Sequence, residues 1–248
     1  MLNTFAHNPH INPHFAGRIS LDRPAVMARL PLAPVTASPV PHLTSLYHDD
    51  AAGDYGSRAY PGNCGGNLIR DLLRFYSPGL VLDPMSGSGT CRDVCADLGI
   101  ACVAWDIHQG IDACDPQGFG QSETFDFIWS HPPYWRQKLY AADSRDLSRS
   151  PTLEHFLQRY AQFIRNAARA LKPHGKLAIL MGDYQDRTEG FVPLTFHTKR
   201  LAFACGLRQC ATDIIRFSHG ASSSKKVYRS SFIPGLHDVC MIFERSHD

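Results

Sequence analysis

Residues 79–90 place a carboxylate and two glycines where an apolar strand gives way to helical sequence. The short apolar run 80–82 ends in Asp83, and the turn that follows contains Gly87 and Gly89. In open α/β sheets, a strand–glycine turn–helix junction binds nucleotide-like ligands at the carboxyl end of the strand. Glycine allows the backbone to approach a ligand where a Cβ atom would collide. We therefore predict a ligand site here, with Asp83 facing a hydrogen-bond donor or a positive charge.

The sequence around this turn narrows the class of ligand. A phosphate-binding loop would end in Gly-Lys-Ser/Thr, and a dinucleotide fingerprint would have a third glycine where Arg92 stands. The next strand-like run, 100–105, leads to Asp106, at about the spacing at which a carboxylate meets ribose hydroxyls. S-adenosylmethionine fits these residues because it offers an ammonium group and a ribose but no phosphate. The alternative is a glycine turn with a purely structural role.

Two motifs together resemble a known family. The first is Asp-Pro-Met-Ser-Gly-Ser-Gly-Thr at 83–90, and the second is His-Pro-Pro-Tyr at 131–134. The pair resembles the signatures of the amino-group DNA methyltransferases, the adenine-N6 and cytosine-N4 enzymes, which read Asp-Pro-Phe-x-Gly-Ser-Gly-Thr and (Asp/Asn/Ser)-Pro-Pro-(Tyr/Trp/Phe). The resemblance extends over roughly residues 59–245. It implies S-adenosyl-L-methionine as the cofactor and DNA with a flipped target base as the partner.

The resemblance also assigns cofactor contacts by position. A third acid that meets the adenine amino group would be Asp112, with Asp115 as the alternative. A segment that closes over the methionine end of the cofactor matches 61–66, which makes Asn63 a candidate contact or part of an ordinary loop before a helix. The full set of predicted cofactor-binding residues is Asp83, Met85, Gly87, Gly89, Asp106, Ile107, Asp112 and Asn63.

The second motif is suited to methylation of an exocyclic amine, whose lone pair is delocalised into the base. Acceptors must hold the amine protons and aim the nitrogen at the methyl group, which is catalysis by orientation and electrostatics. By resemblance, the Pro132 carbonyl and His131 accept these protons, Pro133 stiffens the turn, and Tyr134 stacks on a base that has left the duplex.

His131 departs from the family pattern, which has Asp, Asn or Ser at this position. Neutral imidazole accepts a hydrogen bond in only one tautomer, and imidazolium has no acceptor at all, so we expect methyl transfer to fall on acidification. The departure leaves the choice between adenine-N6 and cytosine-N4 open, with adenine-N6 favoured. An RNA guanine-N2 methyltransferase and a catalytically silent nucleic-acid-binding relative are further alternatives.

A basic segment predicts the nucleic-acid surface. Between residues 199 and 229 there are seven Lys and Arg residues against the single acid Asp213. Four residues of the Ser/Gly-rich loop in this segment are the predicted DNA contacts: Lys225, Lys226, Tyr228 and Arg229. Lys138, in the polar loop 135–149 that follows the second motif, is a further candidate. The alternative for both loops is a solvated surface.

Alternating strands and helices predict the fold class. We expect an α/β, doubly wound, mostly parallel seven-stranded sheet with an antiparallel edge hairpin, which the resemblance identifies as the Rossmann-like class I methyltransferase fold. Residues 1–58 are predicted to be a Pro-rich N-terminal extension, and 59–248 the methyltransferase catalytic domain. Predicted helices are 67–76, 90–98, 151–171 and 193–204. Six of the seven expected strands have predicted bounds, at 80–82, 101–106, 125–130, 176–181, 208–217 and 237–244.

The composition sets limits on location and partners. The net charge of +2 is too small to indicate a nucleic-acid partner, so that prediction depends on local charge. Eight cysteines without a Cys-x-x-Cys pair suggest a reduced, cytoplasmic protein, and thirteen scattered histidines without zinc-site spacing predict no metal. No signal peptide or long apolar run is seen. We expect a short target sequence, or else a homodimer or partner protein that supplies additional contacts to the DNA.

Overall fold

The computed structural model describes residues 31, 34–48, 53–120, 122–217 and 233–246. The strands in this part of the chain are β1 (Leu46–His48), β2 (Leu80–Asp83), β3 (Ala101–Ala104), β4 (Phe125–Ser130), β5 (Leu171–Met181), β6 (Tyr184–Asp186), β7 (Gly190–Val192), β8 (Leu207–Gln209), β9 (Ile214–Phe217) and β10 (His237–Arg245). The α-helices are α1 (Asn67–Tyr76), α2 (Thr90–Leu98), α3 (Leu153–Ala170) and α4 (Leu194–Ala204).

The main sheet has the order β1-β9-β10-β5-β4-β2-β3, and β8 pairs beside this path with β10. The strands β3, β2, β4 and β5 run parallel, whereas β10 is antiparallel to both β5 and β9. The predicted fold class is therefore confirmed: a mixed, mostly parallel doubly wound sheet with an antiparallel hairpin. The described sheet has eight strands rather than the predicted seven: the six strands with predicted bounds become seven because 208–217 forms β8 and β9, and β1 adds an edge strand.

Two apolar cores lie on opposite faces of this sheet, because successive side chains of a strand point to opposite faces. In β2, Val81 packs with the cluster that contains α1 and α2, and Leu82 packs with the cluster that contains α3. In β5, Leu180 and Ile179 divide in the same way. Parallel strands covered on both faces are expected to be largely apolar, and the buried stretches 81–82, 127–129 and 177–181 are.

The helices follow the predictions closely. The bounds of α1 and α2 are those predicted, and α3 begins at Leu153 after Thr152, whose side chain accepts a hydrogen bond from the backbone N–H of His155. A Thr at this position satisfies one of the free amides of the first turn. No helix within the described ranges is both long and apolar enough to cross a membrane.

The strands differ from the predictions at two places. The predicted strand 208–217 is interrupted, because Leu207–Gln209 and Ile214–Phe217 pair with different parts of β10. Leu46–His48, which falls in the predicted extension 1–58, forms a parallel edge strand with β9. The sequence of residues 1–58 gives no indication of this pairing, since β9 lies far downstream in the chain.

Candidate active site

An open cavity of about 800 Å³ lies at the carboxyl ends of β2, β3 and β4. Nine of the predicted site residues line it: Asn63, Asp83, Met85, Gly87, Asp106, Ile107, Asp112, His131 and Pro133. Gly89, Pro132 and Tyr134 do not line the cavity, although each is next in sequence to a residue that does. The two motifs therefore contribute to one cleft, because β2 and β4 are neighbours in the sheet.

Gly87 and Gly89 shape the turn between β2 and α2. Gly87 has a φ of +48°, and a Cβ atom at this position would lie 2.7 Å from the Tyr60 ring. The Gly87 N–H donates a 2.8 Å hydrogen bond to Asp106 Oδ2, which links the ends of β2 and β3. Gly89, with a φ of +83°, is the N-cap of α2. Both positions need the left-handed backbone that glycine adopts without strain.

Asp83 is a buried carboxylate at the tip of β2, with 3% of its surface exposed. Its Oδ1 accepts a 3.2 Å hydrogen bond from the Met85 N–H. Burial removes water from the carboxyl and holds its pKa well above the usual range. No ion pair to Asp83 is present in the described part of the chain. A buried acid that lines a cavity in this way favours a cationic ligand, since a cation stabilises the ionised form.

Asp106 holds the neighbouring strand end in place. Its Oδ2 accepts from Gly87, and its Oδ1 accepts from the backbone N–H of His108 at 3.0 Å. The same Oδ1 is hydrogen-bonded to the His108 ring, and this bond raises the pKa of His108. Each carboxylate oxygen has two lone pairs, so Asp106 retains capacity to accept from ligand hydroxyls.

Asp112 lines the cavity, whereas its alternative Asp115 is exposed outside it. The Asp112 carboxylate is paired with Arg159 Nη2, at 3.0 and 2.8 Å from its two oxygens, and it also accepts from the Cys114 N–H. An adenine contact would share this carboxylate with Arg159.

Asn63 also lines the cavity, but its amide is used within the protein. Its Nδ2 donates to the Tyr55 carbonyl, and its Oδ1 accepts from the Gly65 N–H and the Thr90 hydroxyl. This side chain therefore fixes the loop before α1 against the start of α2.

The His131–Tyr134 turn continues β4. His131 lines the cavity, and its Nε2 lies 3.1 Å from the Tyr134 hydroxyl. That hydroxyl donates a 3.1 Å hydrogen bond to Asp238 Oδ1, and the Tyr134 ring lies beside Gly182. Burial raises the pKa of Tyr134 well above its usual value. In this structure Tyr134 is directed at the β5 and β10 ends, so its predicted stacking role stays a prediction.

A buried arginine, Arg216, is linked to this turn through Asp238. Arg216 is 2% exposed, donates from Nη2 to Asp238 Oδ2 at 2.8 Å, and donates from Nη1 to the Cys64 carbonyl at 2.9 Å. Asp238 therefore connects Arg216 of β9 to Tyr134. The sequence analysis missed this pair, because the β9–β10 register that brings Arg216 opposite Asp238 carries no local signal.

Two tyrosines that line the cavity were also not predicted from the sequence. Tyr60 and Tyr140 stack at a centroid distance of 6.0 Å, and both line the cavity. Burial raises the pKa of Tyr60 to about 12. Both tyrosines lie in loops, where apolar periodicity gives no indication of burial.

Asp146 organises the loop that carries Tyr140. Its carboxylate accepts from the N–H groups of Tyr140 (3.2 Å), Ala141 (2.8 Å) and Ser148 (2.9 Å), and from the Ser148 hydroxyl (2.7 Å). The loop 135–149, predicted as a nucleic-acid contact, thus folds partly against the cavity. An Asp two residues before a Ser is a turn signal that could have indicated this.

The predicted nucleic-acid contacts are only partly described. Lys138 is exposed and lies outside the cavity lining. Lys225, Lys226, Tyr228 and Arg229 lie outside the described residues. Their assignment stays a prediction.

No protein-family model matches the chain, and no curated protein matches it. Solved structures match over part of the chain. One is a Thermus thermophilus protein, provisionally assigned as a DNA modification methylase and complexed with S-adenosyl-L-methionine (20% identity, 55% of this chain and 52% of that chain, TM-score 0.41).

A second is TrmN from Thermus thermophilus, at 20% identity over 72% of this chain and 48% of that chain, with a TM-score of 0.43. A third is an S-adenosylmethionine-dependent methyltransferase from Methanosarcina mazei, at 11% identity over 68% and 93% of the two chains, with a TM-score of 0.46. The chain spans about half the length of the first two proteins. At these identities and scores we draw no functional conclusion from the similarities.

Proposed function

We propose that this protein is an S-adenosylmethionine-dependent methyltransferase that acts on an exocyclic amine of a nucleic-acid base. The single observation that supports this most is the shared cleft: the acid-and-glycine turn after β2 and the His131–Tyr134 turn after β4 line one cavity. The cavity also lies at the carboxyl ends of parallel strands, where open α/β sheets bind their ligands.

The residues of the cavity fit this cofactor class. Asp83 is a desolvated carboxylate suited to the surroundings of an ammonium group, and Asp106 retains lone pairs for ribose hydroxyls. Gly87 leaves space where a Cβ atom would meet Tyr60, so the turn can remain close to a bound ligand. When bound, the cofactor supplies an electrophilic methyl group.

The reaction requires the protein to orient an amine and accept its protons. His131 and the Pro132 carbonyl supply acceptors, and the two prolines restrict the turn that carries them. Tyr60 and Tyr140 stack on each other in the cavity lining, where their rings add apolar surface beside the two motifs. Orientation of this kind accelerates transfer without a covalent enzyme intermediate.

We favour DNA adenine-N6 as the target, with DNA cytosine-N4 second, because the paired motifs resemble those enzymes. RNA guanine-N2 methylation and a catalytically silent nucleic-acid-binding relative are the remaining alternatives. We further propose a cytoplasmic location, and DNA contact through Lys138 and the loop that contains Lys225, Lys226, Tyr228 and Arg229.

Transfer of a tritiated methyl group to unmethylated DNA and RNA, followed by nucleoside analysis, tests these choices. Label on adenine supports the first choice, whereas label on cytosine or only on RNA supports an alternative. If isothermal titration shows cofactor binding without transfer, the protein is a silent relative. If titration shows no cofactor binding, the methyltransferase proposal is wrong.

A further inference from the structure

Three cysteine thiols converge between α2 and β3. Cys91 and Cys95 are four residues apart on α2, which puts them on one face of the helix, and Cys102 lies in the adjacent strand β3. Their Sγ atoms all lie within 4.8 Å of one another. Cys91 and Cys95 are fully buried, and Cys102 is partly buried.

The spacing of these sulfur atoms suits a three-coordinate metal site. With metal–sulfur bonds of about 2.3 Å, three thiolates in a plane around one ion are about 4.0 Å apart. The three Sγ atoms lie within 4.8 Å of one another, which is close to this spacing. Two ligands from α2 and one from β3 would join the helix that follows the glycine turn to the next strand of the sheet.

These three cysteines form the cluster to which the proposal applies, and the Cys102 thiol donates to the Val103 carbonyl at 3.7 Å. Cys114 and Cys240 are also buried cysteines of the described residues, but they do not belong to this cluster.

We propose that Cys91, Cys95 and Cys102 form a binding site for one soft, thiophilic metal ion. Thiolate ligands select soft ions such as Cu(I) over the hard ions Mg²⁺ and Ca²⁺. Zn²⁺ takes four ligands in structural sites, and this group in the described residues offers three, so Zn²⁺ is expected to bind less tightly. The site is separate from the proposed methyl-transfer chemistry, and its test needs no activity.

The experiment titrates Cd²⁺, as a spectroscopic probe, into the fully reduced protein under argon. We expect one equivalent to bind, seen as sulfur-to-metal charge-transfer absorption and as a metal adduct in native mass spectrometry. Bound metal should raise Tm, since a ligand that binds only the folded state stabilises it. Mg²⁺ should give none of these signals.

Variants identify the ligands. Cys102→Ser and Cys95→Ala should each weaken Cd²⁺ binding at least tenfold and remove the rise in Tm. Cys240→Ala, at a buried cysteine outside the cluster, should bind like the wild type. Circular dichroism and Tm without metal show whether each variant folds.

Two results would overturn the proposal. The first is the absence of a stoichiometric adduct in the reduced wild type. The second is unchanged Cd²⁺ binding in folded Cys102→Ser or Cys95→Ala protein.

Discussion

The Tyr134 hydroxyl donates a 3.1 Å hydrogen bond to Asp238 Oδ1, so an aromatic residue of the β4 turn is held by a carboxylate on β10. Arg216 is paired with the second oxygen of that carboxylate at 2.8 Å, which forms a buried ion pair. The Tyr134 oxygen also lies 3.1 Å from His131 Nε2. Through these contacts His131, which stands where the family pattern has Asp, Asn or Ser, is linked to the buried Arg216–Asp238 ion pair.

This connection predicts the tautomer of His131. A hydroxyl has one proton, and Tyr134 gives it to Asp238, so its oxygen accepts from His131 and places the imidazole proton on Nε2. The lone pair is then on Nδ1. Nitrogen-15 NMR of histidine-labelled protein should show the Nε2–H form in the wild type and a mixture in Tyr134→Phe. An Nδ1–H form in the wild type would contradict the assignment.

Variants of Tyr134 separate stacking from positioning. Tyr134→Ala should reduce methyl transfer at least tenfold, since base–aromatic stacking contributes about 1–3 kcal/mol. Cofactor affinity should change little, because Tyr134 does not line the cavity. Tyr134→Phe keeps the ring but removes the hydroxyl. Near-normal methyl transfer in this variant would assign the loss seen in Tyr134→Ala to stacking. A loss of methyl transfer as large as that of Tyr134→Ala would assign it to the positioning of His131. Loss of cofactor binding in both would falsify both roles.

Asp83→Asn is expected to separate stability from binding. The raised pKa of Asp83 means that the unfolded chain loses this proton at lower pH than the folded protein, so wild-type stability falls as pH rises through that interval. The Asn variant lacks this loss and should be about 1 kcal/mol more stable at neutral pH. Its affinity for S-adenosylmethionine should fall about 10- to 100-fold, since a charge-assisted hydrogen bond is lost.

Thermal unfolding across pH and isothermal titration measure both effects. The gain in stability over the wild type should disappear below the ordinary carboxyl pKa, where the acid is protonated in both states. A variant that is less stable than the wild type at neutral pH would contradict the desolvation of Asp83.

Gly87→Ala and Gly99→Ala form a matched pair. Both glycines have positive φ, +48° and +68°, so an alanine at either is strained by about 1–2 kcal/mol. Only at Gly87 does the new Cβ meet a neighbour, the Tyr60 ring at 2.7 Å. We expect similar losses in Tm but at least a tenfold loss of cofactor affinity for Gly87→Ala alone. Equal cofactor affinities of the two variants would contradict a role in cofactor binding for the position of Tyr60 beside this turn.

Asp146→Ala tests the loop over the cavity. It removes the acceptor for Tyr140, Ala141 and Ser148, so hydrogen exchange in 138–150 should accelerate and cofactor affinity should fall at least tenfold. Asp143→Ala is the control in the same loop: Asp143 is partly exposed and paired with Arg145, whose hydrogen bonds lower its pKa to about 2. Equal effects of the two variants would contradict the organising role of Asp146.

The cofactor turn and the helices next to it were predictable because their signals are local. Asp83, Gly87 and Asp106 come together because they end adjacent parallel strands, and α1 and α2 follow from periodicity. The Arg216–Asp238 pair and the direction of Tyr134 depend on the register of β9, β10 and β5. Register between distant strands is set by packing of the whole sheet, and no local pattern in the sequence reports it.

The edge strand Leu46–His48 limits where the chain can be truncated for experiments. It supplies the parallel neighbour of β9, the strand that carries Arg216. A fragment that starts at residue 59 would leave the outer hydrogen-bonding groups of β9 open, and exposed strand edges recruit other chains. Truncation there should therefore yield protein that self-associates, with weakened support for the His131 turn, although no residue of the cavity has been deleted.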